Sequence, residues 1–221
     1  MAADEDGPWL KATELLETLV GVERQETLQA VLDQRLSSVT VVMDAPHDPH
    51  NGAAVLRSCD AFGVQDVHVV ARTEPFRAAG VVSKGSQKWV DATSYSSVSA
   101  AVSALEGYEL VGTHPQGTLQ PEDLAAIPRL ALVMGNEHDG ICEELRAACK
   151  RSVQIPMKGF VESLNVSVSA AILLRYATAG RPGDLNPKQR MRLYTRWLMR
   201  SVNRAAEILA ARDIALPEGF G

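Results

Sequence analysis

The chain has 221 residues, 46% of them hydrophobic and 22% charged, so it can bury a sizeable core without a special staple. No apolar run approaches the roughly 18 residues of a membrane span, and three cysteines with no C-x-x-C pair argue against a disulfide framework or a zinc ribbon. The net charge of −5 at first sight disfavours nucleic acid, and an acidic N-terminus unlike a signal peptide leads us to expect a cytoplasmic protein.

The chain begins with a predicted helix over about 9–35, where leucine and valine recur at helical spacing and Gly21 marks a break. Short apolar strands then alternate with helices. Strands are predicted at 39–43, 67–70, 109–113, 130–134 and 152–156, and helices at 51–62, 96–106, 141–149 and 165–179. A single amphipathic helix is predicted over about 187–211, with a core-facing stripe of Met191, Tyr194, Leu198, Val202, Ala205 and Leu209.

This alternation predicts an α/β fold with a mostly parallel sheet that is covered on both faces. In such sheets, ligands bind beyond the carboxyl ends of the strands. The most unusual segments follow predicted strands: PHDPHN, GTHPQG, GNEHDG and PMKGFVESLN. We therefore expect a functional site at that edge.

Several common sites lack their motifs. No G-x-G-x-x-G follows a strand, and neither a phosphate-binding glycine-lysine loop nor a G-x-S-x-G nucleophile turn is present. His47 and His50 could form half of a metal site, but no third ligand is evident. We predict that the protein uses no metal.

Three segments in order carry a specific resemblance: HNGAAVLRSCDAFGV, LVMGNEHDGI and IPMKGFVESLNVSVSAAILL. They resemble the three motifs of the SpoU branch of the SPOUT methyltransferases. The resemblance implies an α/β-knot domain at 37–180, with a trefoil knot in its C-terminal part. A helical extension at 1–36 and a basic helical extension at 181–221 would flank it. It also implies a homodimer whose site is completed across the interface.

The family methylates ribose 2′-hydroxyls of RNA with S-adenosylmethionine. Within it, the arrangement most resembles the bacterial enzymes that act on guanosine-18 of the tRNA D-loop. A related activity on ribosomal RNA or on the tRNA anticodon loop is the close alternative. A non-catalytic RNA-binding factor that kept the fold is the alternative from another class.

The resemblance implies catalytic roles for Arg57, Asn51, Glu137, Ser163 and Asn165. Each also has a structural alternative: an ion pair with Asp60 for Arg57, a helix cap for Asn51 and for Glu137, and a helix cap for one of Ser163 and Asn165. A guanidinium is essentially never deprotonated in proteins, so we interpret Arg57 as a stabiliser of the developing alkoxide rather than as a base.

The resemblance also implies cofactor contacts, largely through the backbone, at Thr113, Gly135, Ile155, Met157 and Leu164. At Gly135 the missing Cβ would allow the backbone to approach the cofactor closely.

The charge is unevenly distributed along the chain. Residues 1–38 hold eight acidic and three basic side chains, whereas 181–221 hold four and eight. Arg192, Arg196, Arg200 and Arg204 recur every four residues, a spacing at which like charges repel. A solvated helix face is one interpretation. Given the resemblance, RNA phosphate becomes the leading partner of this row, with His50 as a further candidate RNA contact.

Overall fold

The apolar segments of the sequence form a six-stranded sheet in the computed structural model, which describes residues 6–71 and 88–216. The strands are β1 Val39–Asp44, β2 Asp66–Val70, β3 Asp91–Tyr95, β4 Glu109–Thr113, β5 Leu130–Met134 and β6 Arg151–Val153. Their order is β3-β2-β1-β5-β4-β6, and every neighbouring pair is parallel. The predicted α/β fold with a mostly parallel sheet is confirmed, and the knot stays a prediction.

The helices of the described residues follow in chain order. They are α1 Gly7–Glu17, α2 Val22–Leu32, α3 Pro49–Ala61, α4 Val98–Ala104, α5 Glu143–Ala148, α6 Val166–Ala177, α7 Pro187–Ser201 and α8 Ala205–Ala210, with a 3-10 helix at Pro121–Ala126. None of these helices is long and apolar enough to cross a membrane.

The central strands of the sheet are buried on both faces. All residues of β1 and β5 are buried, and alternate side chains of β5 enter two different apolar clusters. Leu130, Leu132 and Met134 pack on the side of α3 and α6, whereas Ala131 and Val133 pack on the side of α4 and α5. Coverage by helices on both faces is what a parallel sheet requires.

Two compact units divide the described residues. The sheet unit runs from residue 36 to 182, and the terminal unit combines 6–35 with 183–216. Inside the terminal unit, α1 packs against α7, and the hydroxyls of Thr13 and Thr195 lie 2.6 Å apart. The buried Arg35 guanidinium stacks 5.2 Å from the Trp197 ring. The division into 1–36, 37–180 and 181–221 stays a prediction.

The prediction of one long C-terminal helix is wrong. The helix ends at Ser201, Val202 is extended, and Arg204 adopts a left-handed conformation with φ 59° before α8 begins. Tyr194, Leu198, Ala205 and Leu209 are buried as expected, but Met191 and Val202 are only half-buried. The apolar spacing continues across the turn, so periodicity alone gives no sign of the break.

Candidate active site at the carboxyl ends of β4, β5 and β6

A cavity of 420 Å³ lies where the segments after β4, β5 and β6 meet. This volume lies within the range of small-molecule sites in proteins. The 152–156 strand predicted from the sequence is shorter in the structure, where β6 ends at Val153. Because the strand ends early, Ile155 and Met157 leave the sheet and enter the cavity wall.

All five residues predicted to contact the cofactor line this one cavity. They are Thr113, Gly135, Ile155, Met157 and Leu164, and each is half-buried. Three of the predicted catalytic residues, Glu137, Ser163 and Asn165, line it as well. The cavity wall therefore combines apolar side chains with carboxylate, hydroxyl and amide groups.

The loop after β5 is held close to itself. Asn136 donates its backbone N–H to the carbonyl of Gly140 at 3.1 Å, and its side-chain oxygen accepts the N–H groups of His138 and Asp139 at 2.9 and 2.7 Å. A Cβ on Gly135 would lie 2.6 Å from the Ile141 nitrogen and closer still to the Gly140 carbonyl carbon. Only glycine fits at this position without moving the backbone.

Two asparagine amides connect helix α6 to the loop after β5. The Asn51 side-chain N–H group donates to Glu137 Oε1 at 2.6 Å, and that of Asn165 donates to Asn51 Oδ1 at 3.0 Å. Asn165 Oδ1 accepts the backbone N–H of Ser167 at 2.8 Å. We call Asn51 and Asn165 the amide bridge. It brings together three of the predicted catalytic residues, which are far apart in sequence.

The helix caps differ from some of the predicted alternatives. Helix α3 is capped by Asp48, whose carboxylate accepts the His50 N–H at 2.8 Å, with Pro49 as the first helical residue. Asn51 therefore does not cap the helix, and its amide lies in the site. Asn165 does cap α6.

The cap alternative for Glu137 fails as well. Helix α5 begins after Cys142, so Glu137 lies too far upstream to cap it. Of Ser163 and Asn165, Asn165 is the cap, and Ser163 lies two residues before it and lines the cavity.

Arg57 and His50 lie outside the cavity wall. Arg57 is exposed on α3, and it makes no hydrogen bond or ion pair with any residue that the structure describes. The alternative of an ion pair with Asp60 is therefore wrong within those residues. His50 is also exposed. The structure of one chain does not bring these two side chains together with the cavity-lining residues.

Three polar residues near the site carried no predicted role of their own, although His114 lies in the GTHPQG segment. Ser167 donates its backbone N–H and its hydroxyl to Asn165 of the amide bridge. The buried Asp44 at the end of β1 accepts the Cys142 N–H at 2.6 Å. His114 follows β4 and lines the cavity, and its Nδ1 accepts the Gln116 N–H at 3.0 Å. The neutral His114 ring therefore carries its proton on Nε2. Their position directly after strands could have singled out Asp44 and His114.

Two other kinds of reactive group are the half-buried Cys149 thiol and the side chains that could bind a metal ion. Burial, and secondarily Cys142, raises the pKa of Cys149 to about 11, so its thiol is protonated at neutral pH and is a poor nucleophile. Residues 6–71 and 88–216 contain no group of three or more His, Cys, Asp and Glu side chains that could hold a metal ion.

The basic residues of α7 pair with acidic residues inside the terminal unit. Arg192 lies 3.1 Å from Asp6 and stacks over the Trp9 ring, and Lys188 lies 3.8 Å from the same carboxylate. Arg204 is not part of the α7 row, because it caps α8, and it pairs with Glu207. Arg196 is half-buried and Arg200 exposed.

Comparison with known proteins places this site in a family. Residues 38–175 match the SpoU rRNA Methylase family. The chain belongs to this family. Since the match includes β1, β4, β5, β6 and the amide bridge, the cavity and its polar residues lie within the SpoU domain.

Individual relatives agree with the family match. The chain is 33% identical over 154 residues to the tRNA (guanosine(18)-2′-O)-methyltransferase of Escherichia coli, covering 68% of this chain and 67% of that enzyme. The A. aeolicus TrmH/SpoU tRNA modifying enzyme superposes with a TM-score of 0.74 at 25% identity, over 86% of this chain and 100% of that chain. The SpoU methyltransferase AviRb from Streptomyces viridochromogenes, in complex with AdoMet, gives 0.59 at 28% identity over 67% and 60%.

Proposed function

We propose that the protein is an S-adenosylmethionine-dependent RNA ribose 2′-O-methyltransferase that acts on tRNA, with guanosine-18 of the D-loop as its target. The observation that carries this proposal is that one cavity of the SpoU domain gathers all five predicted cofactor residues with Glu137, Ser163 and Asn165. The name of the Escherichia coli relative supports the choice of substrate.

The cavity suits the cofactor. Its volume of 420 Å³ and its apolar residues Ile155, Met157 and Leu164 fit an adenosine group, and the Glu137 carboxylate suits a cationic ligand. Gly135 lies close to the backbone of Gly140 and Ile141, and all three residues line the cavity. When bound, S-adenosylmethionine supplies an electrophilic methyl group on a positively charged sulfur.

The chain's own residues would then orient the ribose and stabilise its oxygen. We propose that Arg57 stabilises the alkoxide that develops on the 2′-hydroxyl, because a guanidinium holds its proton and offers two parallel donors. Ser163 and the amide bridge would line the substrate side. Arg57 is exposed in a single chain, so bound RNA or a second copy would complete its surroundings.

We propose that the second copy packs on α6. This helix is apolar on nearly all sides, which is typical of a buried helix. Val168 and Tyr176 are nevertheless 46% and 37% exposed, with Ile172 between them at helical spacing, and the nearby loop exposes Phe160 completely. We call Val168, Ile172 and Tyr176 the α6 stripe. A homodimer through this face would cover the α6 stripe and adjoin the cavity, which Val166 and Ser169 of α6 also line.

The dimer proposal predicts that light scattering gives twice the mass of one chain. Val168→Glu and Tyr176→Glu should each shift the protein to single chains at micromolar concentration, because they place a charge on the covered stripe. Val31→Glu is the matched control, since Val31 is 40% exposed in the terminal unit. A monomeric parent protein, or variants that remain dimeric, would contradict the proposal.

For the terminal unit we propose that Arg192, Arg196, Arg200 and Arg204 contact RNA phosphates. Asp6 already holds Arg192 and approaches Lys188, so phosphate must displace a carboxylate there. His50 remains a proposed RNA contact in the sheet unit, where its ring is exposed.

We expect Arg196→Gln and Arg200→Gln each to weaken tRNA binding and to reduce the salt slope by about one, because each neutral residue releases one phosphate contact. Asp6→Asn should strengthen tRNA binding, because it frees Arg192 from a competing carboxylate. The expected gain is about 2- to 5-fold, which corresponds to the free energy of an exposed ion pair. Titrations against salt would measure both effects, with the exposed Lys11→Gln as control. Unchanged slopes in intact dimers would favour a solvated helix face.

The function is tested in two steps. Calorimetry should detect S-adenosylmethionine binding, and mass spectrometry of digested tRNA should locate a methyl group on the ribose of guanosine-18. Methylation of ribosomal RNA or of the anticodon loop would support the close alternative. RNA binding without methyl transfer would support a non-catalytic factor. We propose the cytoplasm as the location of this activity, and no metal requirement.

A further inference from the structure

The amide bridge has a direction that its hydrogen bonds determine. A backbone N–H can only donate, so the Ser167 N–H, 2.8 Å from Asn165 Oδ1, fixes that oxygen as an acceptor. The Asn165 amide must then present its N–H group to Asn51 Oδ1 at 3.0 Å. The Asn51 amide is fixed in turn and presents its N–H group to Glu137 Oε1 at 2.6 Å.

We infer that the backbone N–H of Ser167 sets the polarity of the site through Asn165 and Asn51, which act as positioning residues for Glu137. The consequence for ligand binding rests on the proposed function, but the hydrogen-bond directions can be tested without it. Glu137 Oε1 must accept, so the bridge holds the carboxylate in one rotamer. Among the residues that the structure describes, its other oxygen, Oε2, has only a long contact of 3.4 Å with the His47 N–H.

The bridge therefore fixes where the Glu137 carboxylate lies at the cavity wall. Glu137 lines the larger cavity and also a small adjoining one that Asn51 lines. A carboxylate fixed in this way favours a cationic ligand over a neutral ligand of the same shape. S-adenosylmethionine is cationic at sulfur and its product is not, so the same anchored charge favours substrate over product.

Polarity can be tested by reversing it. In Asn165→Asp, one carboxylate oxygen still accepts the Ser167 N–H, but the other faces Asn51 Oδ1 as a second acceptor. The Asn51 amide must turn over, which places its oxygen against Glu137. Adding Glu137→Gln supplies an N–H donor at that position and restores a complete set of hydrogen bonds in the opposite direction.

We expect Glu137→Gln to lower the thermal midpoint of the parent protein slightly or not at all, but to raise that of Asn165→Asp by roughly 2–6 °C. This change of sign is the signature of polarity. In Asn165→Ala, which cuts the bridge without reversing it, Glu137→Gln should bring no rescue. Ser167→Ala keeps the backbone N–H but removes the hydroxyl that also donates to Asn165 Oδ1 at 2.6 Å. It should lower the midpoint, and Glu137→Gln should not rescue it, because the direction of the bridge is unchanged. Additive effects of Asn165→Asp and Glu137→Gln would overturn the inference.

A second pair covers the case in which Asn165→Asp does not fold. Asn51→Asp places a carboxylate oxygen against Glu137 Oε1 without any need for an amide to turn, so Glu137→Gln should rescue it as well. Failure of this rescue would also overturn the inference. All midpoints are measured without cofactor or RNA. If the rescue is seen but the protein methylates no RNA, the inferred polarity stands and the proposed function is wrong.

Discussion

Replacing Arg57 with alanine should lower turnover by at least about 10²-fold and leave S-adenosylmethionine binding nearly unchanged. Loss of one donor that stabilises a developing oxyanion commonly has an effect of this size. The side chain is exposed, outside the cavity wall, and without a partner among the described residues, so its removal should alter neither the cofactor site nor the fold. Single-turnover methyl transfer and calorimetry would measure the two quantities.

Arg57→Lys is the informative companion. Lysine keeps the positive charge but loses the planar pair of donors, so it should recover only part of the lost rate. Thermal midpoints of both variants should match the parent, because α3 buries Val55, Leu56 and Cys59 rather than Arg57. Near-normal single-turnover rates in Arg57→Ala would remove this residue from the catalytic role.

The central strands could be predicted because their burial leaves a direct mark on composition. Both β4 and β5 match the predicted 109–113 and 130–134, and β1 differs only by the added Asp44. Strand β3 was missed because it lies at the sheet edge and reads DATSY, with its three middle residues exposed. An edge strand needs no apolar run, so hydrophobic periodicity could not reveal it.

The terminal unit shows what local patterns miss. Acidic residues of the N-terminal segment and basic residues of α7 are far apart in sequence, and their opposite charges were assigned separately. In the folded unit, Asp6 pairs with Arg192 and Asp33 pairs with Arg190 at 2.7 Å. The chain itself therefore supplies a carboxylate that neutralises part of the charge of the arginine row.

At the site, motif order predicted which residues meet, but not how. The resemblance singled out Asn51, Glu137 and Asn165, and the structure joins them. The cap at Asp48 decides that Asn51 lies inside helix α3, and the N–H of Ser167 decides which way each amide faces. Both are properties of hydrogen-bond direction in the folded chain, which residue identity alone does not contain.

The second large effect is expected at Gly135. An alanine there would place its Cβ 2.6 Å from the Ile141 nitrogen and closer still to the Gly140 carbonyl carbon. Both are backbone atoms that cannot rotate away. The loop from Asn136 to Gly140 must then shift, and with it the cavity wall. Forcing an extra carbon into a packed site typically costs about 1–3 kcal/mol. If the bound state carries this cost, S-adenosylmethionine should bind about 5- to 150-fold more weakly.

Gly159→Ala is the matched control for this prediction. Gly159 belongs to the loop that also contributes Met157 and Leu164 to the cavity, yet a Cβ there has no heavy atom within 4 Å. It should leave calorimetric affinity unchanged, whereas Gly135→Ala weakens it, and urea unfolding would show how much of that loss comes from the fold. If both variants bind the cofactor like the parent, the cavity tolerates a moved loop, and the close approach at Gly135 serves the fold rather than the ligand. If both lose affinity equally, added bulk anywhere in these loops disturbs binding, and the contact with Gly140 and Ile141 is not its cause.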